Sequence, residues 1–298
     1  MDEATARERM MAISNFITLN SNRDTSLQPQ SSLDTFDFDA SAFIAYRNKW
    51  KGVITSRLVE IATASDAEFL DCVNYLIENE GKYIRPLLTM MACEITGGKA
   101  VDALDYACAI ELIHLSSLIL DDLPCMDDSD TRRGRAALHV KFGEARALLT
   151  TILLICTSFR LVAEGGPNAS KAVSILARSL TDSGMILGQM KDLQGYGKDN
   201  SVIHMKTGSL IEAAALLGVL AGSDNQYAAQ QLSSLSCDIA YIFQVRDDVL
   251  DGDMGQKAQE SAKKRAYRLA TITLNTFGCS PASQALASLA VFAAIRKQ

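Results

Sequence analysis

From about Asp39 onward, the hydrophobic positions recur with the period of an α-helix. Phe43, Ile44, Trp50, Val53, Ile54, Leu58 and Ile61 lie three, four or seven apart, the spacing that lines one helical face. Asp39, just ahead of them, suits an N-cap. The same pattern predicts further helices at about 66–78, 84–96, 101–122, 143–164, 169–193, 202–222, 226–250, 257–276 and 281–297. Segments 101–120 and 209–221 are apolar nearly all round, so they are expected at the buried centre of a bundle. Strand-type alternation is scarce, Asn-Gly and Asp-Gly pairs are nearly absent, and there are only five prolines. The expected fold is therefore all-α, a single-domain bundle of about ten mostly antiparallel helices over residues 39–298. Residues 1–38, rich in Ser, Thr, Asn and Gln from Ser14 and without sustained periodicity, are expected to form a mobile arm.

Composition narrows the function. The formal charge of −6 and a pI near 5.2 argue against a nucleic-acid binder, which would carry a basic stripe. A local basic pocket for one phosphorylated small molecule remains compatible with that balance. Seven cysteines without a CxxC pair read as small buried hydrophobes in a reducing compartment. The chain opens Met-Asp-Glu with no basic segment leading into an apolar one, so no secretory signal is expected. The most apolar runs, 147–156 and 213–221, are shorter than the roughly 20 residues of a membrane span. These features together predict a soluble, cytoplasmic protein with no membrane span.

The candidate chemistry sits at the ends of two apolar helices. "LILDDLPCMDDSDTRRGRAALH" (118–139) carries five Asp and three Arg between Asp121 and Ala136. "FQVRDDVLD" (243–251) closes a second such helix, with Asp247 and Asp251 one turn apart on one face and Asp248 beside them. A single acidic helix end is ordinarily solvated. Two of them, each closing a helix that otherwise reads as buried, point instead to a bound cation. Pro124 is expected to break the first helix and loop Asp127 back towards Asp121 and Asp122. Oxygen-only ligands suit a hard ion, and carboxylates completed by phosphate oxygens suit Mg²⁺. Lys82 and Arg85 in "GKYIRP", His114 two turns before Asp121, Arg132 and Arg133, and Lys206 and Thr207 in "MKTGSL" supply basic and polar groups. Gln189 and Asp192 stand in "GQMKD". Together they suggest recognition of two diphosphates, one bridged by metal ions to carboxylates and one held directly by Lys, Arg and His.

These motifs resemble those of the trans-isoprenyl diphosphate synthase (polyprenyl synthetase) family, most closely its bacterial and plastid geranylgeranyl diphosphate synthases. The resemblance runs from about residue 43 to 251: G-K-x-x-R-P at 81–86, H-x-x-x-L-x-x-D-D at 114–122, D-D-x4-D with R-R-G at 121–134. It continues with G-Q-x-x-D at 188–192, K-T at 206–207 and F-Q-x-x-D-D-x-x-D at 243–251. It implies the isoprenoid synthase fold, with helices around a deep central cleft, and a homodimer. It further implies that Asp121, Asp122, Asp127, Asp247, Asp248 and Asp251 hold Mg²⁺, three ions with substrate bound. By the same resemblance Arg132, Lys206, Thr207 and Gln244 lie near an allylic diphosphate, and Lys82, Arg85, His114 and Arg133 hold isopentenyl diphosphate. The implied reaction is ionisation of dimethylallyl, geranyl or farnesyl diphosphate, condensation, and proton loss. In such enzymes bulk just before the first aspartate motif limits product length. Ser116 and Ser117 are small, so a C20 product, geranylgeranyl diphosphate, is expected. A farnesyl diphosphate synthase, a related terpene cyclase and a non-catalytic regulatory subunit are the alternatives. The chain departs from the family pattern in a shorter connection between Asp192 and Lys206 and in the basic stretch after Asp251.

Overall fold

The first helix starts where the pattern placed it. In a computed structural model of the chain, Asp39 Oδ1 accepts the Ser41 N–H at 2.8 Å, and helix α1 spans Ser41–Thr63. The structure describes residues 39–63, 67–79, 81–197, 199–250, 252 and 254–296; the expected N-terminal arm, residues 1–38, lies outside them. Next come α2 (Ala67–Glu78), α3 (Ile84–Ile95), a 3₁₀ turn (Ala100–Ala103) and α4 (Leu104–Asp122). After a two-residue hairpin, the chain continues through α5 (Leu138–Phe142), α6 (Glu144–Ala163), a 3₁₀ turn (Gly166–Asn168), α7 (Ala169–Leu180) and α8 (Met185–Lys191). A π-helical turn (Asp192–Tyr196), the single turn α9 (Asn200–Ile203) and a second π-helical turn (His204–Gly208) lead into α10 (Ser209–Gly222). The long helices α11 (Gln226–Leu250), α12 (Gln256–Phe277) and α13 (Pro281–Ile295) complete the order. The all-α expectation is met.

The two all-apolar segments became α4 and α10, and they sit where their sequences require. Ala107, Ala109, Ile110 and Ile113 of α4 and Ala214, Ala215 and Leu217 of α10 are fully buried. Helix α4 packs along α6, and α10 along α3. The second contact depends on the lack of a side chain. A Cβ built on Gly218 would stand 2.1 Å from the Thr89 carbonyl oxygen and 2.7 Å from Ala92 Cβ, so the two backbones meet in van der Waals contact.

Three details differ from the pattern reading. The segment 169–193 is two helices, α7 and α8, because the chain turns at Thr181–Gly184, where a Cβ on Gly184 would overlap the Ser179 carbonyl. A hairpin interrupts the all-helical order, pairing Thr131 with Ala136 and Arg132 with Arg135. Its two-residue turn, Arg133-Gly134, is not among the pairs usually read as hairpin signals. The third concerns the length of the apolar segments. Once assembled into helices, Ala100–Asp122, Glu144–Ala163 and Asn200–Gly222 are by length and composition sufficient to cross a bilayer. Short apolar runs understated this, because intervening small and hydroxylated residues do not end a helix. The first and third of these segments are largely buried within the bundle, and α6 is the least buried.

Candidate active site

Pro124 does what the sequence suggested. Helix α4 ends at Asp122, Leu123 turns to an extended backbone, and the chain loops so that the Asp127 N–H donates to the Asp121 carbonyl at 2.9 Å. This bond holds Asp127 at the end of the helix that carries Asp121. Burial pushes the Asp121 carboxyl up to about 6; Lys206 opposes that shift, and Asp127 adds to it. Asp127 is exposed. Asp122 has a different position: it is buried, and its Oδ1 accepts from Arg132 Nε at 2.9 Å and from Arg132 Nη2. Its charge is already neutralised within the protein.

The hairpin separates the two adjacent arginines. Arg133 and Gly134 have φ of 54° and 76°, the left-handed pair of a type I′ turn. An arginine in that region is uncommon and strained, and here the turn sends consecutive side chains in different directions. Arg132 reaches back to Asp122. Arg133 Nη1 instead donates to the Asn79 carbonyl at 2.9 Å and lies against Gly81. Asn79 secures the turn by donating from Nδ2 to the Arg132 carbonyl at 3.0 Å.

Lys82, Arg85, His114, Arg132, Arg133, Thr207, Gln244 and Asp247 line one cavity of about 890 Å³. Among the described residues, five cationic side chains and two acidic ones line it, a balance that suits an anion. Burial pulls the Lys82 ammonium down to about 8; Arg296 adds to that and Asp247 opposes it. The buried Arg85 Nε has no hydrogen-bond partner, a donor held ready for a ligand oxygen. Burial, with Arg85 and Arg133 nearby, holds the His114 imidazole well below its usual range. It therefore offers this cavity a neutral hydrogen-bonding ring, not a charge.

The opposite wall comes from α11 and the π-helical turn. Gln244 Nε2 donates to Asp248 Oδ1 at 2.9 Å, which leaves the amide oxygen as an acceptor beside the cavity. Lys206 pairs with Asp192 at 2.5 Å, joining the two π-helical turns. Such turns often mark functional sites, since they displace backbone carbonyls from regular pairing. A Cβ on Gly188 would come within 2.3 Å of the Lys206 nitrogen, so α8 packs directly against that backbone. Gln189, beside it, keeps both amide atoms buried and unpaired.

Not every expected residue lines this cavity: among the described ones Asp121, Asp122, Asp127, Lys206, Asp248, Ser116 and Ser117 do not. Asp251 lies outside the described residues. Ser116 is buried, with its hydroxyl donating to the Ile113 carbonyl at 2.7 Å, and Ser117 donates likewise to the His114 carbonyl at 2.8 Å. Among the described residues no three carboxylate, imidazole or thiol groups converge on one point.

Two lining residues, Glu111 and Arg296, were absent from the motif reading. Glu111 is the only acid in the apolar run 106–120, a signal that was available. It is 2% exposed, and burial pushes its carboxyl up to about 7, against the pull of Arg85 and Arg133. A folded-state value above the unfolded one means the native state holds the extra proton. The stability contributed is thus present below about pH 4.5 and is lost as pH rises through about 7, by on the order of 3 kcal/mol. Denaturant melts of the native chain and Glu111→Gln across pH 4–8 are expected to show the native chain losing stability relative to the variant. A difference that stays flat with pH would refute this assignment. Arg296 left no local signal, because its partner Asp247 is 49 residues away.

Comparison with known proteins gives the family and the fold. Residues 66–267 match the family described as polyprenyl synthetase. Three relatives come from Arabidopsis thaliana. Geranylgeranyl pyrophosphate synthase 4 is 40% identical over 60% of this chain and 51% of its own length. The chloroplastic synthase 11 is 37% identical over 72% and 64%, and the mitochondrial synthase 10 is 36% identical over 75% and 69%. The chain thus spans from about half to two thirds of these relatives, and their differing compartments leave the cytoplasmic expectation without support. Among solved structures, an FPP/GFPP synthase from Zymomonas mobilis superposes with a TM-score of 0.77 at 25% identity, covering 86% of this chain and 100% of that one.

Proposed function

The chain belongs to the polyprenyl synthetase family, and on that premise we propose that it is a trans-prenyltransferase joining isopentenyl diphosphate to an allylic diphosphate, with geranylgeranyl diphosphate as its product. The observation that carries this reading is one cavity lined by unlike groups: Lys82, Arg85, Arg132, Arg133 and Arg296 with His114, and also Thr207, Gln244, Asp247 and Glu111. Two diphosphates, bound by different chemistry, fit such a lining.

In this reading Asp121 and Asp127 on one side, and Asp247 and Asp248 on the other, hold Mg²⁺ against the allylic diphosphate. Asp251 belongs to the same set by its motif. Asp122 serves indirectly, by fixing Arg132 for direct contact with that diphosphate. Bound Mg²⁺ supplies charge neutralisation for a leaving group carrying about three negative charges. Lys206, held by Asp192, adds a positive charge to the same oxygens. The allylic cation that remains needs a dry site, and the Gln244 amide oxygen, the Thr207 hydroxyl and carbonyls of the π-helical turn stabilise it without attacking. Lys82, Arg85, His114 and Arg133 hold isopentenyl diphosphate so that its double bond meets the cation. His114, neutral, donates a hydrogen bond there.

The exposed Leu148, Leu149 and Ile152, within one turn or so of each other on α6, are an apolar face suited to a homodimer. Incubation with Mg²⁺, isopentenyl diphosphate and each of dimethylallyl, geranyl and farnesyl diphosphate, followed by chromatography, tests the activity. Elongation of at least one primer is expected; elongation of none would overturn the proposal. Product length is tested at Ser116. A tyrosine placed at this buried site is expected to shift the main product from C20 to C15. An unchanged product profile in a folded Ser116→Tyr variant would show that this position does not set chain length.

A further inference from the structure

Asn79 follows α2, belongs to none of the motifs above and does not line the cavity. Its polar groups nevertheless meet both arginines of the hairpin. The side-chain Nδ2 donates to the Arg132 carbonyl at 3.0 Å, and the backbone carbonyl accepts from Arg133 Nη1 at 2.9 Å. The Arg132 carbonyl is part of the planar peptide that joins the two arginines. Rotating that peptide is the movement that would take Arg133 out of the left-handed region, where its φ is 54°. A residue other than glycine stays there only when its surroundings hold it. Pairing of Arg132 with Arg135 supplies part of that hold, and the Asn79 amide adds a bond to the peptide itself.

The two guanidiniums do not depend on this turn equally. Asp122 Oδ1 accepts from both Nε and Nη2 of Arg132, so a buried carboxylate on α4 fixes that group whatever the turn does. Arg133 is held instead by a backbone carbonyl just past α2. It lies against Gly81, where an added Cβ would meet Nη1, Nη2 and Cζ at 3.0, 3.1 and 3.3 Å. Its place in the cavity lining therefore follows from the backbone angle of the turn. The returning strand is anchored separately, by the Tyr75 hydroxyl donating to the Ala136 carbonyl at 2.9 Å and by Arg135 stacked 4.1 Å from the Tyr75 ring centre. We propose that Asn79 is a positioning residue for isopentenyl diphosphate: its amide keeps the Arg132–Arg133 peptide in the left-handed turn, and so keeps the Arg133 guanidinium at the cavity. The inference rests on the two-diphosphate reading above and adds to it a residue that acts on one subsite only, because Asp122 secures the arginine of the other.

Calorimetry tests this with the native chain, Asn79→Ala, Tyr75→Phe, Arg133→Met and the double variant Asn79→Ala with Arg133→Met. Isopentenyl diphosphate is titrated into each chain loaded with Mg²⁺ and geranyl thiodiphosphate, an analogue that does not ionise readily. The analogue is also titrated by itself with Mg²⁺. Asn79→Ala keeps the backbone carbonyl and removes the amide, and it is expected to weaken isopentenyl diphosphate about tenfold and the analogue less than about twofold. In the Arg133→Met background the same substitution is expected to add less than about twofold, because the group it positions is gone. Tyr75→Phe loosens the far strand and leaves the arginine peptide bonded, so a loss under about twofold is expected. A residue that merely stabilised the fold would weaken both ligands alike and add its loss to that of Arg133→Met. Unchanged affinity in Asn79→Ala, equal weakening of both ligands, full additivity in the double variant, or an equal loss in Tyr75→Phe would each overturn the assignment. Should Asn79→Ala fail to fold by circular dichroism, Asn79→Ser, too short to reach the Arg132 carbonyl, takes its place in the same comparison. Absence of isopentenyl diphosphate binding to the native chain would overturn the two-diphosphate reading itself, and this role with it.

Discussion

Asp121→Asn is expected to lower single-turnover prenyl transfer by about a thousandfold while leaving the melting temperature within a few degrees. The carboxyl of Asp121 sits at the end of α4 with the returning Asp127 backbone hydrogen-bonded to its carbonyl. Burial, helped by Asp127 and only partly offset by Lys206, raises it to about 6. Such a carboxylate is poorly placed to stabilise the empty fold and well placed to hold a cation brought by a ligand. Asparagine keeps its shape and removes the charge, so the loss should fall on transfer and on Mg²⁺ dependence. Quenched-flow measurement across a Mg²⁺ series, with a parallel thermal melt, checks both. A loss under tenfold would remove Asp121 from the proposed metal site. Asp122, also aspartate and its immediate neighbour, is expected to behave differently, because its removal leaves Arg132 without its buried counter-charge.

Gly218→Val is expected to produce the largest loss of stability. The Cβ alone would meet the Thr89 carbonyl oxygen at 2.1 Å, and backbone cannot step aside as a side-chain tip can. Overpacking of this kind costs about 3 kcal/mol or more, roughly 6–12 °C in melting temperature for a domain of this size. Gly218→Ala should lose less, since alanine recovers about 1 kcal/mol of helix propensity. Thermal melts of the three chains, followed at 222 nm, give the comparison. Equal midpoints would mean that α3 and α10 tolerate a wider separation than the fold displays.

The tests differ in what the sequence alone revealed. Asp121, Asp127 and the chain reversal at Pro124 were legible, because all are neighbours along the chain and the spacing itself carries the geometry. The bundle's central helices, α4 and α10, were legible for a similar reason: an all-apolar face has nowhere else to go. The division of 169–193 into α7 and α8 was not, since hydrophobic period continues through the turn at Thr181–Gly184. Glu111 was visible as a lone acid in an apolar run, but its meaning depends on Arg85 and Arg133, which only packing brings near. Asp122 and Asp127 look alike in the motif. Arg132, delivered by a left-handed turn at Arg133-Gly134, pairs with Asp122 and leaves Asp127 exposed.

By itself, then, the order of residues determined the helical class, the two acidic helix ends and the basic residues available to meet them. These are properties of local period and local charge, and they survive without knowing what packs where. Tertiary structure decided which carboxylates are already neutralised, which donors are buried without partners, and that Arg296 lies beside Asp247. Those are consequences of desolvation and of contacts between distant segments, and no periodicity along the chain encodes them.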